Sequence, residues 1–125
     1  MKREKMLIAE GSTFMRIMLT TALEKLGFEV LGTAKDGNEA VDKYKELKPD
    51  VALVDIALDG IDGIEVTRRI VEVDPSAVVI MLIAESSDTP DLIVEAVRAG
   101  ARGYMQKPIS EVEIERRISS ALRKR

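Results

Sequence analysis

The stretch Val51-Ala-Leu-Val-Asp-Ile-Ala-Leu-Asp-Gly-Ile-Asp-Gly63 decides the fold class of this chain. Its first four residues are apolar, and they lead directly into the acidic Asp55. A run this short, bounded by Pro49-Asp50 and by a cluster of Asp and Gly residues, is typical of a strand that is buried on both faces. Such strands occur in parallel sheets that lie between layers of helices. We therefore expect Asp55 at the carboxyl end of a central strand, where open α/β sheets keep their functional sites.

Strand and helix patterns alternate along the rest of the chain. Four further strands are predicted at 6–9, 28–31, 78–83 and 103–105. A helix with apolar residues at helical spacing follows each strand, and the five helices are expected to begin at Ser12 or Thr13, Asp36, Asp62, Thr89 and Ser110. This order predicts an α/β fold, a (βα)5 doubly wound parallel sheet with right-handed crossovers. A length of 125 residues indicates a single domain over 1–125.

The composition excludes several classes of function. The chain has no cysteine and no histidine, which excludes a disulfide framework, a His-based triad and a His metal site. The net charge of -3 gives no general reason to bind nucleic acid or an acidic membrane. The longest apolar run, 77–84, is too short to cross a bilayer, and the charged N-terminus lacks the apolar core of a signal peptide. We expect a cytoplasmic protein, and we interpret the tail Arg123-Lys-Arg125 as a solvated helix end.

Three side chains capable of chemistry stand at the ends of predicted strands. Glu10 follows the first strand, Asp55 the third and Lys107-Pro108 the fifth. In a sheet ordered 2-1-3-4-5, these strands are adjacent or nearly so. Two carboxylates close together suit a hard divalent cation such as Mg²⁺, and a lysine beside them neutralises charge on Asp55 or on a group attached to it. A carboxylate, a cation and a lysine are what nucleophilic attack by Asp55 on a phosphoryl group needs.

The whole chain resembles a response-regulator receiver domain, the phosphoacceptor of two-component signalling, and it looks most like the stand-alone chemotaxis type. The motifs that carry the resemblance are Leu53-Val-Asp55, Asp62-Gly63, Lys107-Pro108, Phe14-Met15-Arg16, Gly37-Asn-Glu-Ala-Val41, Ala84 and Gly100-Ala101. No single motif is specific, but their joint order spans the chain. The resemblance implies the flavodoxin-like receiver fold with strand order 2-1-3-4-5, and a signalling protein that is not an enzyme.

The resemblance also implies roles for individual residues of the site. Asp55 is expected to be the phosphoacceptor, and Lys107 is expected to pair with the acyl phosphate. Magnesium is expected to be held by Asp55, by an acid after the first strand, which here is Glu10, and by the backbone carbonyl of Ala57.

Signal output is implied by the same resemblance. Tyr104 stands at the family's switch aromatic, and Ile83 stands at the position of the switch Ser or Thr at the end of the fourth strand. A histidine kinase or a histidine phosphotransfer protein is the expected phosphodonor. The expected downstream partner is a protein that binds the face made by the fourth helix, the fifth strand and the fifth helix.

The chain departs from the family at three places. Gly11 replaces the second of two adjacent acids, the one that binds metal directly, and Glu10 is one methylene longer than the usual Asp. Ile83 cannot donate the hydrogen bond that a Ser or Thr donates to the phosphoryl oxygen. Leu58-Asp59 replaces the usual Met-Pro. We expect weaker switching, and slow or absent phosphorylation unless Glu10 compensates for the missing acid.

These departures leave alternatives open. The first alternative is a pseudo-receiver, a phosphorylation-independent protein-interaction module, which Gly11 and Ile83 motivate. The second is a flavodoxin-like binder of a small ligand, but the loop Glu10-Gly-Ser-Thr13 holds one glycine and an acid that repels phosphate. For Glu10, a salt bridge to Lys107 and metal binding are given equal weight. For Tyr104, plain core packing is the alternative to a switching role.

Overall fold

The observed elements follow the predicted alternation of strands and helices. The structure is a computed structural model, and it describes residues 3–123. The strands are β1 (Lys5–Ala9), β2 (Glu29–Ala34), β3 (Val51–Asp55), β4 (Val79–Ala84) and β5 (Gly103–Lys107). The helices are α1 (Thr13–Lys25), α2 (Gly37–Leu47), α3 (Gly63–Val73), α4 (Thr89–Ala99) and α5 (Glu111–Arg123). The expectations that involve Met1, Lys2, Lys124 and Arg125 lie outside the described residues.

The sheet has the order β2-β1-β3-β4-β5, and every pairing in it is parallel, as predicted. The central strand β3 is buried along its whole length. Because all strands run in one direction, β1, β3 and β5 all end at the same edge of the sheet, which we call the carboxyl edge. Asp55 is the last residue of β3 and Lys107 the last residue of β5, while Glu10 directly follows β1.

Two apolar clusters cover the two faces of the sheet, because successive strand residues point to opposite faces. One cluster joins alternate strand residues to α2, α3 and α4, and its members include Leu7, Val54, Met81, Ile83, Tyr44, Ile70 and Ala96. The other joins the remaining strand residues to α1 and α5, and its members include Ile8, Leu53, Leu82, Met105, Leu23, Ile114 and Ile118. None of the helices between residues 3 and 123 combines the length and the hydropathy that a membrane span requires.

Two strands extend two or more residues beyond their predicted ends. β2 reaches Ala34 instead of ending at Leu31, since the pairing continues past an irregularity that leaves Leu31 without a partner residue on β1. β5 reaches Lys107 because Gln106 and Lys107 pair with the end of β4. In both cases the extension is made of small or polar residues, which an apolar pattern does not mark.

Four of the predicted helix starts carry the expected capping hydrogen bond. The side-chain oxygens of Ser12, Asp36, Asp62 and Ser110 each accept a hydrogen bond from a backbone N–H three residues later. The predicted cap at Thr89 is wrong, because Thr89 is the first residue of α4 and the residue before it is Asp88. The Thr89 hydroxyl instead accepts from the Ser86 N–H at 2.8 Å and so turns back towards the preceding loop. Pro90 lies in the first turn of α4, as expected.

Candidate functional site

Glu10 is held at the carboxyl edge by the segment that leads from β1 into α1. Its backbone N–H donates to the carbonyl of Ala34, at the end of the neighbouring β2, over 3.0 Å. Its carbonyl accepts from the Arg16 guanidinium at 2.7 Å, and its Oε1 accepts from the Ser12 N–H at 3.3 Å. The residue is only 3% exposed. Glu10 is therefore a fixed, buried acid at the edge of the sheet and not a solvated loop residue.

Asp55 is positioned by the close approach of α3 to the end of β3. Its Oδ1 accepts from the backbone N–H of Ala57 at 3.0 Å, and the residue is 7% exposed. The N–H of Gly63 donates to the carbonyl of Ile56 at 2.9 Å, which ties α3 to this loop. A Cβ atom at Gly63 would lie 2.3 Å from the carbonyl oxygen of Asp55, so only glycine fits there.

Lys107 brings the two acids together. Its Nζ donates to Glu10 Oε2 at 2.9 Å and to Asp55 Oδ2 at 3.1 Å. These contacts join the ends of β1, β3 and β5, as the sequence predicted for the three side chains. We call Glu10, Asp55 and Lys107 the carboxylate–lysine site.

Burial and the uneven number of charges govern the electrostatics of this site. Two carboxylates share one ammonium group, and little solvent reaches them. Burial raises the pKa of Glu10, and the nearby Asp55 raises it further, while the bond from Lys107 acts in the opposite direction. Burial by itself lowers the pKa of Lys107, but its bonds to both carboxylates and their charges outweigh burial and hold the pKa above its usual value. Lys107 is therefore firmly protonated, and the Glu10 carboxyl is harder to ionise than an ordinary glutamate.

The oxygen ligands available at this site suit a magnesium ion. Glu10 and Asp55 supply carboxylates, and the predicted third ligand is the backbone carbonyl of Ala57. Within residues 3–123, no group of three or more His, Cys, Asp or Glu side chains is placed to hold a metal ion. Gly11 adds no carboxylate to the two of Glu10 and Asp55. Magnesium is commonly bound through one or two protein carboxylates and keeps several waters, so the donor set is chemically sufficient.

The two predicted switch residues lie on neighbouring strands. Ile83 is fully buried in the cluster on the α2, α3 and α4 face, and the half-buried Tyr104 packs against the same cluster. The guanidinium carbon of Arg117 lies 4.7 Å from the centre of the Tyr104 ring. Arg117 Nε also donates to Glu113 Oε1 at 2.7 Å. Sequence reasoning did not identify the pair of Arg117 and Glu113, although their spacing of four in a helix is a recognisable pairing signal.

Comparison of the sequence with known protein families and proteins gives one consistent match. The family described as the response regulator receiver domain matches residues 6–119. The chemotaxis protein CheY of Thermotoga maritima is 40% identical over 105 residues, which cover 84% of this chain and 86% of that protein. The chemotaxis protein CheY of Bacillus subtilis is 35% identical over 118 residues, covering 94% of this chain and 97% of that protein.

Solved structures give the same match at the level of the fold. A chain in the crystal structure of the CheX–CheY–BeF3–Mg²⁺ complex from Borrelia burgdorferi superimposes with a TM-score of 0.87 and 32% identity, covering 94% of this chain and 87% of that one. The response regulator domain of Thermotoga maritima CheB gives a TM-score of 0.89 and 33% identity, covering 98% of both chains.

Proposed function

Because the chain belongs to the response regulator receiver domain family, we propose that it accepts a phosphoryl group on Asp55 and signals by contact with another protein. The chain is homologous to the CheY response regulators of two-component systems. The observation that carries the assignment of Asp55 is the hydrogen bond between its Oδ2 and Lys107 Nζ. The comparisons do not support the phosphorylation-independent alternative over this function.

In the proposed reaction, a carboxylate oxygen of Asp55 attacks the phosphorus atom of the donor. A bond forms between this oxygen and phosphorus, the bond from phosphorus to the donor nitrogen breaks, and an acyl phosphate results. The ammonium of Lys107 is placed to bind a phosphoryl oxygen as negative charge develops on it. Magnesium, held by Glu10, Asp55 and the carbonyl of Ala57, would neutralise further charge on the phosphoryl group.

The proposed partners are a phosphodonor and a downstream protein. The donor is a histidine kinase or a histidine phosphotransfer protein, as membership of the receiver family implies. The downstream protein binds the face of α4, β5 and α5, where a groove of about 530 Å³ is present. This groove is lined by Ile93, Val97, Ala101, Arg102, Gly103, Tyr104 and Arg117.

We propose that the protein has no enzymatic turnover and forms a single receiver domain over 1–125. Its cytoplasmic location stays a prediction.

Phosphorylation can be tested by intact-mass spectrometry after incubation with Mg²⁺ and a small phosphodonor. The wild-type protein is expected to gain the mass of one phosphoryl group, and Asp55→Asn is expected to gain none. Asp59→Asn is the matched control, because Asp59 is an exposed acid in the same loop and is expected to leave the reaction intact. An unmodified wild-type protein, or a phosphoryl group that persists in Asp55→Asn, would refute the assignment.

Switching can be tested separately by amide NMR with beryllofluoride, a mimic of the acyl phosphate. With Mg²⁺ present, we expect shifts at Glu10, Asp55 and Lys107 that extend to Tyr104 and α4. Shifts confined to the carboxylate–lysine site would mean that the mimic binds but that the output face does not respond. The Asp55→Asn variant under the same conditions provides the baseline.

A further inference from the structure

Tyr104 stands at the border between the core and the groove on the face of α4, β5 and α5. The residue is half-buried, and it packs against the cluster that contains Ile83. It also lines the groove of about 530 Å³. Apolar packing confines the ring on the core side, whereas on the groove side the ring has room to move unless another side chain holds it.

Arg117 is the side chain that covers the Tyr104 ring. Its guanidinium carbon lies 4.7 Å from the ring centre, inside the distance of about 6 Å at which a cation is attracted to an aromatic face. Arg117 lines the same groove as Tyr104. An arginine suits this contact because its guanidinium is planar, always charged and able to stack on aromatic rings. The contact therefore opposes movement of the ring into the groove.

Glu113 holds Arg117 in this position. Arg117 Nε donates to Glu113 Oε1 at 2.7 Å, and Arg116 donates to Glu113 Oε2. These bonds from Arg117 and Arg116 hold the pKa of Glu113 below its usual value, so the carboxylate stays charged at neutral pH. The side chains of Arg117 and Glu113 are 33% and 22% exposed, so solvent screens the pair only in part. Arg117 is thus tied to α5 while its guanidinium lies against a ring of β5.

We propose that Arg117 is a positioning residue for Tyr104: held by Glu113, its guanidinium stacks on the ring and keeps the ring in one rotamer before any phosphoryl group arrives. The inference rests on the proposed function, because it concerns the face through which that function signals. It goes beyond that function by assigning control of the switch aromatic to α5, through a residue outside the carboxylate–lysine site.

The test measures the χ1 rotamer populations of Tyr104 by NMR in the resting protein, without Mg²⁺ or a phosphodonor. In wild type we expect one dominant rotamer. Arg117→Gln removes the charge but keeps a polar side chain. We expect it to raise the ratio of minor to major rotamer by about 2–5-fold, the effect of losing a cation–π contact at a partly exposed site. Glu113→Gln is expected to raise the ratio in the same direction, because it frees the guanidinium from its carboxylate.

Arg116→Gln is the matched control. Arg116 is the neighbouring residue on α5, about 100° around the helix from Arg117, and it also pairs with Glu113, but its side chain is 68% exposed. Its replacement removes the same charge from the same helix and is expected to leave the Tyr104 populations as in wild type. Equal changes in Arg116→Gln and Arg117→Gln would mean a general effect on α5 and would overturn the proposal. Unchanged populations in Arg117→Gln or Glu113→Gln would also overturn it.

The side-chain signals of Arg117 give a second readout on the wild-type protein. Protons near the face of an aromatic ring are shifted upfield by the ring current. We therefore expect the δ-methylene signals of Arg117 upfield of those of Arg116, and we expect this difference to disappear in Tyr104→Leu. Equal shifts of the two arginines in wild type would overturn the proposal. If Arg117→Gln fails to fold in a thermal melt, this readout and Glu113→Gln decide the question.

These outcomes are distinguishable from a failure of the proposed function. Phosphoryl transfer to Asp55 is read by intact mass, whereas the positioning role is read by rotamer populations in the resting protein. A protein that takes no phosphoryl group but has a freed Tyr104 ring in Arg117→Gln would refute the first proposal and support the second. A protein that is phosphorylated but has the same Tyr104 populations in all variants would do the reverse.

Discussion

Ile83 stands at the position where the resemblance to receiver domains predicts a Ser or Thr, and it provides apolar packing in place of a hydrogen-bond donor. Its side chain is fully buried at the end of β4, and it belongs to the cluster against which Tyr104 packs. An isoleucine there strengthens the core because it buries more apolar surface than a threonine, but it has no hydroxyl to donate to the phosphoryl group that we propose for Asp55. We interpret the isoleucine as increasing the stability of the fold and weakening the coupling between the carboxylate–lysine site and Tyr104.

Replacement of Ile83 by threonine should reverse this exchange. We expect Ile83→Thr to lower the free energy of unfolding by about 2–3 kcal/mol, from lost apolar burial and a buried hydroxyl. Ile83→Val is the matched control, with an expected loss of about 1 kcal/mol and no hydroxyl. Urea denaturation measures both losses. On addition of beryllofluoride, NMR shifts at Tyr104 should be larger in the threonine variant than in the valine variant, and equal responses would contradict this role.

At the scale of elements, the junction between β3 and α3 places Asp55. Gly63 is the first residue of α3, and its Cβ position is closed by backbone atoms of Asp55 and Ile56. Asp62 caps α3 by accepting a hydrogen bond from the Glu65 N–H at 2.9 Å. This cap fixes the start of the helix directly after the loop 56–62, which follows Asp55. The stretch 51–63 therefore specifies both the buried strand and the turn that fixes the carboxylate at its end.

Gly63→Ala should destabilise the protein through this junction. The added methyl group would lie 2.3 Å from the Asp55 carbonyl oxygen and 2.7 Å from Ile56 Cα, so the backbone must shift. We expect a loss of about 3 kcal/mol in the free energy of unfolding, at the upper end for overpacking, together with altered amide shifts at Asp55. Gly103→Ala is the control, since its nearest neighbours are 3.8 and 3.9 Å away, and it should change stability by less than about 1 kcal/mol. Equal losses in the two variants would rule out a special role for Gly63.

At the scale of the whole molecule, Lys107 closes the carboxyl edge. Its two hydrogen bonds connect residues that are 97 and 52 positions apart in the chain, so the site forms only when β1, β3 and β5 are all in place. Removal of one partner from such a largely buried set leaves charge without compensation. The stability of the fold is therefore linked to the protonation of this one ammonium group.

This linkage predicts a specific dependence of stability on pH. The pKa of Lys107 is raised in the folded protein above its ordinary value of 10.5, so its stabilising effect is complete below pH 10.5 and is lost as the pH rises through the higher folded value. At pH 8, Lys107→Gln should unfold with a free energy about 2–3 kcal/mol lower than wild type. In denaturation series at increasing pH, the free energies of unfolding of wild type and Lys107→Gln should converge in strong alkali. Lys107→Arg should show no such loss of stability as the pH rises. A difference that stays constant with pH would contradict this account.

The secondary structure was largely predictable, because burial and capping leave local patterns. The apolar run of β3 and the caps at Ser12, Asp36 and Asp62 are each specified within a few residues of sequence. The ends of β2 and β5 were not predictable, because pairing with a neighbouring strand, and not local hydropathy, holds their polar residues in the sheet. At α4, the Thr89 hydroxyl bonds to the loop before it, which the cap pattern did not reveal.

The sequence by itself determined the alternation of strands and helices, the placement of Asp55 at the end of a central strand, and the absence of a carboxylate at Gly11 and of a hydroxyl at Ile83. These features depend on residue identity and on short-range periodicity, both of which are present in the linear chain. Only the tertiary structure decided that Glu10 and Asp55 share one ammonium group and that Arg117 lies against Tyr104. Such contacts depend on strand register and side-chain direction between segments far apart in the chain, and no local pattern encodes a distance of that kind.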